Sequence, residues 1–455
     1  MLTKKLVTEL KTTLNLSIPI IVGQLGFVLM AVADNIMVGQ LLGKTALGAA
    51  GVANSIAFLI ASLAVGGLAV IAPMVSKNIA ENNIKYLKKL FVNTNFVAVF
   101  YGTVLSLIGL TVYFNFGILK QSEKVTKLSP SFLLIILGSN FFLYLFVALK
   151  QFGDGLSKPR VAMIITIIGL IFNVSGNYVL IKGLGFIPKL GLNGAAIATL
   201  ITRAVMFLIL AIYFYSNIKF SSIFRDNKWL PDYRIFFEIL RRSIPGGFQF
   251  FFEIGAFSTA VIMMGWISET ALAAHHIAIN IASSTYMMAT GISFAAGIRV
   301  GDAWGRRDAA AIKIAGNAGY IMVFAFMTLS MLIIFFFKLP ILHFYISDFD
   351  VIQIATPLLT IAAIFQLSDG LQVVGLGVLR GLADIKIPTA ITFVAYWVIA
   401  LPAGYFLGFK TGMGANGIWT GLLLGLTASA IFLYFRYRFL VNPKIINERF
   451  LTKKH

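Results

Sequence analysis

Apolar runs of about 20 residues recur along almost the whole chain, and that recurrence leaves few folds open. They fall near 14–39, 46–75, 90–115, 129–150, 160–182, 192–216, 242–267, 271–298, 312–337, 351–378, 387–409 and 415–440. Each is long enough to cross a bilayer as a helix, because about 20 residues at 1.5 Å rise match a hydrocarbon core of about 30 Å. Helices are expected rather than strands: lipid offers no partner to free backbone groups, and the runs lack the short alternation of an outer-membrane barrel. The whole-chain balance agrees, with 59% hydrophobic and 12% charged residues and a mean hydropathy of +0.90, far from a soluble domain. The expectation is an all-α membrane protein with twelve transmembrane helices.

The net charge of +20 invites a nucleic-acid partner, but its distribution argues against one. If the N-terminus is cytoplasmic, the segments on that side hold 28 of the 37 Lys and Arg residues, and Arg203 lies inside a helix. That is the positive-inside bias, so the basicity reports orientation and contact with anionic lipid heads, with both termini cytoplasmic and the protein in the cell membrane. The first run carries Asp34 and lacks a small-residue cleavage pattern, so it reads as helix 1 rather than as a leader. With no cysteine, disulfides, thiol catalysis and cysteine-ligated metals are excluded.

The chain is also internally duplicated. Residues 45–77 align without gaps to 270–302 with ten identities in 33 positions. Further echoes keep similar offsets: "SIP" at Ser17–Pro19 and Ser243–Pro245, "SKPRVA" with "IKIPTA", and "GLNGAA" at Gly191 with "GANGIW" at Gly414. Six helices per half is an even number, so both halves enter from the same side, a parallel repeat of the kind found in transporters. The domains expected are an N-lobe over 1–216, a polar cytoplasmic linker over 217–241, and a C-lobe over 242–455 ending in a short basic tail.

Three of the 17 acidic residues, Asp34, Glu253 and Asp369, lie well inside these runs. A charge at a helix centre costs about 2.5 to 3.5 kcal/mol, so such groups face the bundle interior and mark ion or proton paths. With Arg203 as the one intramembrane base in this reading, three acids favour a cation or proton role over a structural one. Burial favours the protonated carboxyl and a bound cation favours the ionised one, so one group can exchange H+ or Na+ for a cationic solute. Glu253 aligns with Phe27 and Asp34 with Ala260, so the two lobes carry different polar interiors.

Other polar residues stand at helical spacing. Asn173 and Asn177, four apart on one face, are placed to join Asp34 around a cation or to bond neighbouring helices. Tyr286 offers an aromatic face or a hydroxyl. Arg203 pairs with a carboxylate or lines the cavity. The adjacent His275 and His276 point to opposite sides of a helix and do not make a metal site. Pro19 and Pro245 each remove a backbone hydrogen bond early in a helix. The stretch "GQLLGKT", Gly39–Thr45, is one residue too short for a phosphate-binding loop and follows a helix rather than a strand, so no ATP site is read. An ion gradient is left as the driving force.

These residues together resemble one family, the multidrug and toxic compound extrusion (MATE) transporters, most closely the NorM-type branch. The motifs are "VADNIMVGQLL", "FFFEIGAFS", "LAAHHIAINIAS" with "GISFAAGIRVGDAWGRRD", and "DGLQVVGLGVLRGLADIKIPT", spread over both halves. The resemblance implies two six-helix lobes around a V-shaped central cavity and export of amphipathic organic cations in exchange for Na+ or H+. It implies Glu253 and Asp369 as carboxylates of a Na+ site with Tyr286 as an associated aromatic, and Asp34 with Asn173 and Asn177 as an N-lobe polar set joined by Thr199. His276 stands where many relatives have Gln. Phe365, one turn before Asp369, stands where some have Tyr, which removes one oxygen ligand from that wall of the cavity.

The reading is therefore a multidrug antiporter, not an enzyme, working by alternating access as a functional monomer. Ion and drug are linked through the same carboxylates, and aromatic side chains hold flat lipophilic cations. No cofactor is expected beyond the coupling ion, and no metal beyond Na+. A lipid-linked oligosaccharide or peptidoglycan-precursor flippase is the nearest alternative and asks for a basic cavity. A membrane-embedded enzyme asks for a nucleophile with a base at membrane depth, and no His lies there in this reading. A passive channel fits the parallel repeat less well than a rocking carrier.

Overall fold

The computed structural model describes residues 2–119, 122–183, 188–216 and 230–452. Every apolar run folds as helix, and most helices extend past the run that announces them. In chain order they are α1 (Leu2–Leu42), α2 (Lys44–Leu68), α3 (Ile71–Ala80), α4 (Ile84–Phe114), α5 (Glu123–Gly155), α6 (Pro159–Lys182) and α7 (Gly191–Ser216). They continue as α8 (Tyr233–Ile267), α9 (Glu269–Gly305), α10 (Ala309–Tyr345) and α11 (Phe349–Gly381). Last come α12 (Lys386–Phe409), α13 (Ala415–Leu440) and α14 (Pro443–Thr452).

Among the described residues, 11 helices are long and apolar enough to cross a membrane, with α2 and α3 counted together. Helix α9 is as long as most of them at 37 residues, but Asn280, Ser283, Ser284, Thr285 and Tyr286 dilute its apolar stretch. Polar caps start several helices. The side-chain oxygens of Asn83, Ser268, Asp308 and Asp348 accept backbone N–H bonds of 2.9 to 3.1 Å from the residue three further on.

Several departures from the sequence reading have local causes. The run 46–75 is interrupted at Ala69 and Val70, where the chain passes from α2 to α3. The runs ending at 150 and 378 continue as helix to Gly155 and Gly381, because buried charged residues extend each helix past its apolar stretch. Within α12, residues Val394–Ala400 form a wide π turn that ends two residues before Pro402, whose ring and missing N–H an ordinary turn does not accommodate. Residues 217–229 of the expected linker lie outside the described residues, and 233–241 belong to α8.

The chain forms two compact units, Val22–Gly247 and Met1–Ile21 with Phe248–His455. They are called the N-unit and the C-unit below. Helix α1 thus changes unit just past Pro19, and α8 just past Pro245.

Backbone geometry records the duplication more sharply than side-chain identity does. Four non-glycine residues have positive φ: Asn82 (52°), Ser157 (59°), Arg307 (55°) and Ala383 (56°). Each ends a helix with the same two hydrogen bonds. Ser157 N donates to Asp154 O at 2.9 Å and Lys158 N to Gly153 O at 3.0 Å; Ala383 N donates to Arg380 O at 3.0 Å and Asp384 N to Leu379 O at 2.9 Å. This six-to-one closure satisfies carbonyls that the helix end leaves free, and glycine is its usual residue. Asn82 and Arg307 close α3 and α9 in the same way.

The helices that these turns end also cross at matching points. A Cβ on Gly155 of α5 would stand 2.5 Å from Ala72 O, and one on Gly381 of α11 would stand 2.6 Å from Gly297 O. Val75 and Val300 take the same role beside them, at 2.6 and 2.9 Å. Only glycine lets the backbones approach this closely, which is how helices pack where lipid supplies no hydrophobic drive.

Candidate functional site

The N-unit carries a polar ring on α1, α6 and α7. Asp34 accepts hydrogen bonds from Asn177 Nδ2 and, at 3.2 Å, from Thr199 Oγ1. Asn177 Nδ2 also donates to Asn173 Oδ1 at 3.3 Å, and Asn173 Nδ2 to Thr199 Oγ1 at 3.4 Å, closing the ring. The three partners are buried and Asp34 is half-buried. The i,i+4 spacing of the asparagines puts both amides on one face of α6, opposite the carboxylate.

Two members of this ring, Asp34 and Thr199, line a cavity of about 340 Å³ within the N-unit, with the two asparagines behind them. Asp34, Asn35, Asn54, Asn140, Thr199 and Arg203 are among its polar groups, and Phe58 and Phe132 among its apolar ones. Arg203 stands one turn after Thr199 on α7 and donates from Nη1 to Ser139 Oγ at 2.7 Å and Asn140 Oδ1 at 2.5 Å. It acts on Asp34 through charge. The cavity is in the size range of small-molecule sites and combines one acid, one base and an apolar majority.

The C-unit carries a second, drier cluster. Glu253 on α8 is 4% exposed and Asp369 on α11 is 2% exposed. Tyr286 on α9, Gln372 on α11 and Tyr396 in the π turn of α12 surround the Glu253 carboxyl. Asp369 and Glu253 also act on each other as like charges. Tyr396 Oη donates to Gln372 Oε1 at 2.8 Å, which ties α12 to α11 beside the carboxylates. Among the described residues, Glu253 Oε2 and Gln372 Nε2 are buried with no hydrogen-bond partner. Two buried carboxyls that repel each other, with an oxygen to spare and phenol and amide oxygens around them, make an arrangement suited to a proton or a small hard cation.

Matching stretches decide the family. The MatE model matches residues 19–179 and 245–406, one stretch in each copy of the internal repeat. The chain belongs to the MatE family. Its curated relatives among the MATE transporters agree over nearly full length. The chain is 34% identical over 433 residues to a probable multidrug resistance protein NorM of Bacillus anthracis, covering 94% of this chain and 95% of that protein. It is 31% identical over 449 residues to one of Pseudomonas putida, covering 94% of each. Among solved structures, a eukaryotic MATE transporter superposes with a TM-score of 0.87 at 19% identity, over 98% of this chain and 99% of that one. An outward-facing multidrug resistance MATE family transporter superposes at 0.85 with 20% identity, over 95% and 96%. The fold is therefore the all-helical MATE fold of a multi-pass membrane transporter, a class that is not enzymatic.

Of the residues singled out in this MATE chain, Asp34, Asn173, Asn177 and Thr199 come together in one unit, and Glu253, Asp369 and Tyr286 in the other. Arg203 lines the N-unit cavity and bonds Ser139 and Asn140 rather than Asp34. Phe365, expected at a cavity wall, is 2% exposed and packs against Phe257 and Trp419 in the C-unit core. His275 is buried and accepts the Trp419 indole N–H at 3.1 Å, while His276 is exposed.

The reading that Arg203 is the one base inside the helices needs correction. Lys150 and Arg380 fall in segments read as loop, yet both are buried within helices, at 4% and 6% exposure. Lys150 Nζ pairs with Asp154 Oδ2 at 2.7 Å. Arg380 Nη2 donates to Gln249 Oε1 at 3.2 Å. Gln249 precedes Glu253 by one turn of α8, and Gln372 follows Asp369 by three residues on α11. That spacing was visible in the sequence and marks both amides as facing the acid site.

Proposed function

We propose that this transporter is a multidrug efflux antiporter that exports amphipathic organic cations in exchange for Na+ or H+. The observation that carries the reading is the C-unit pair, Glu253 and Asp369, two buried carboxylates facing tyrosine and glutamine rather than a directly bonded base. Such a pair is costly unless a cation or proton neutralises it, and exchange of one for another is the useful form of that cost. The curated relatives are named as multidrug resistance proteins, which supports drugs as the cargo.

The N-unit cavity is the substrate compartment in this reading, with Asp34 meeting the cationic end of the drug and Phe58 and Phe132 stacking on its flat body. Binding at one carboxylate group weakens binding at the other, and that negative coupling is what links ion entry to drug exit. The two lobes divide near the 217–241 stretch, and access to the sites alternates between the membrane faces. The protein sits in the plasma membrane as a monomer with both termini cytoplasmic, as the positive-inside bias supports. Na+ is preferred over H+ because paired carboxylates with neutral oxygen donors form a hard-cation set.

Ethidium export from energised cells, and ethidium movement in proteoliposomes with an imposed Na+ or pH gradient, test this directly. Glu253→Gln and Asp369→Asn are each expected to abolish gradient-driven transport while the protein still reaches the membrane. Wild-type rates in both would overturn the site, and transport driven by pH alone would overturn Na+.

A further inference from the structure

Arg380 is a buried base that cation exchange at the Glu253–Asp369 pair does not itself require. Its guanidinium stays charged at any physiological pH and carries five N–H donors, so burial obliges it to find acceptors. The described residues give it one amide oxygen, Gln249 Oε1 at 3.2 Å, and the ring of Phe294 at 5.9 Å; its Nε is buried without a partner. One turn further along α8 from Gln249 lies Glu253, whose Oε2 is also buried without a partner. An under-satisfied donor and a carboxyl with one oxygen unbonded, its neighbours Tyr286, Gln372 and Tyr396 all neutral, thus flank the same amide. Gln249 and Glu253 are four apart on one helix face, so the step between them is one pitch, about 5.4 Å, within the swing of an arginine side chain. Arg380 and Glu253 already act on each other electrostatically.

We propose that Arg380 is a tethered counter-cation for the Glu253–Asp369 pair, exchanging between Gln249 and Glu253 as the transported cation binds and leaves. With a cation on the carboxylates, the guanidinium rests on Gln249. When the cation departs, it moves one turn to Glu253 and spares the membrane interior two uncompensated negative charges. The incoming ion then competes with a resident one, which lowers affinity and speeds release. The other groups at the carboxylates are Asp369 and Gln372 on α11, Tyr286 on α9 and Tyr396 on α12, and none of them is a base. This inference rests on the reading of Glu253 and Asp369 as the coupling site.

The test uses the full chain in proteoliposomes, with ethidium as reporter and Na+ or pH as the varied ligand. Arg380→Gln removes the competitor, so the half-saturating Na+ or proton concentration is expected to fall about tenfold, a usual size for site coupling, while the maximal rate drops as release slows. Arg380→Lys is expected to retain most of the wild-type behaviour. Gln249→Leu removes the resting partner and holds Arg380 on Glu253, so half-saturation is expected to rise, opposite to Arg380→Gln. These opposed shifts are not produced by simple loss of packing, and Gln249→Leu carries the test should Arg380→Gln fail to fold. Half-saturation unchanged in Gln249→Leu, or shifted the same way as in Arg380→Gln, would overturn the proposal. The two readings separate cleanly: wild-type transport in Glu253→Gln sinks the coupling site itself, whereas collapse there beside unshifted arginine and glutamine variants sinks only the tethered cation.

Discussion

Tyr396 gives its hydroxyl hydrogen to Gln372 Oε1 at 2.8 Å, and that bond joins the one π turn among the described residues to the helix that carries Asp369. A π turn costs regular hydrogen bonding, and such turns recur at functional sites. Here it presents Tyr396, fully buried, to Gln372 and Glu253. The phenol fixes which way the Gln372 amide points: with its oxygen occupied, its Nε2 is the end turned to the Glu253 carboxyl.

Tyr396→Phe is therefore expected to free the amide to rotate and to weaken the C-unit site without disturbing its apolar packing. Loss of one such bond is worth about 1 kcal/mol, so the half-saturating coupling-ion concentration for ethidium export should rise several-fold, up to about tenfold. Titrating transport against the imposed ion gradient checks it. An unchanged half-saturation would show that the orientation of Gln372 does not matter.

The architecture was legible because it rests on quantities that a sequence displays directly: run length, charge bias and a repeat with near-constant offset. The buried acids were legible because burial makes their residue type anomalous: Asp34, Glu253 and Asp369 all lie within helices, buried or half-buried. What stayed hidden has a common physical cause. Lys150, Asp154 and Arg380 look like loop charges because an apolar run ends at the first charge, whereas the helix continues as long as its charges find partners. Tyr396 was hidden differently. Its position depends on the change of helical period before Pro402, which shifts every side chain after it relative to the usual 3.6-residue face. Phe365 packs on the aromatic side of the core because one face of α11 carries both Asp369 and those contacts.

Gly381→Ala probes the crossing of α11 and α9. The added methyl would stand 2.6 Å from Gly297 O and 2.9 Å from two Val300 atoms, and the first of these is backbone that has no rotamer to relieve it. Overpacking of this kind costs about 1 to 3 kcal/mol, so the melting temperature in detergent should fall by several degrees. Gly155→Ala, facing Ala72 O at 2.5 Å, is expected to do the same in the N-unit. A melt unchanged in both would mean that these helices separate freely.

Asp232 ties the segment before α8 to α4. Its carboxylate accepts from Lys89 Nζ at 2.6 Å, and its backbone N–H donates to Asn93 Oδ1 at 3.1 Å. The Lys89 hydrogen bond holds the carboxyl below the ordinary aspartate value of 3.8. A group depressed in the folded state contributes above its unfolded value and loses that contribution as pH falls through its folded value. The tie should therefore survive at pH 5 and release only below the ordinary aspartate range. Amide exchange over 232–236, corrected for intrinsic rates and followed against pH, measures this; Asp232→Asn should remove the transition, and release already at pH 5 would contradict it.

The Lys150–Asp154 pair gives the sharpest stability test, since its members are 5% and 1% exposed at their side chains and the bond is 2.7 Å. A buried ion pair adds little over an apolar replacement, yet removing one partner strands the other charge at a cost of about 3 to 5 kcal/mol. Lys150→Met leaves Asp154 with one oxygen newly orphaned beside Oδ1, which already lacks a partner. Asp154→Leu leaves the ammonium without its carboxylate. Each single variant is expected to lose most of its folded yield, measured by monodispersity and melting in detergent, while Lys150→Met with Asp154→Leu together should recover much of it. A double variant no better than the worse single would mean that the pair is held for something other than mutual compensation, and transport assays on the double variant would then show which activity it serves.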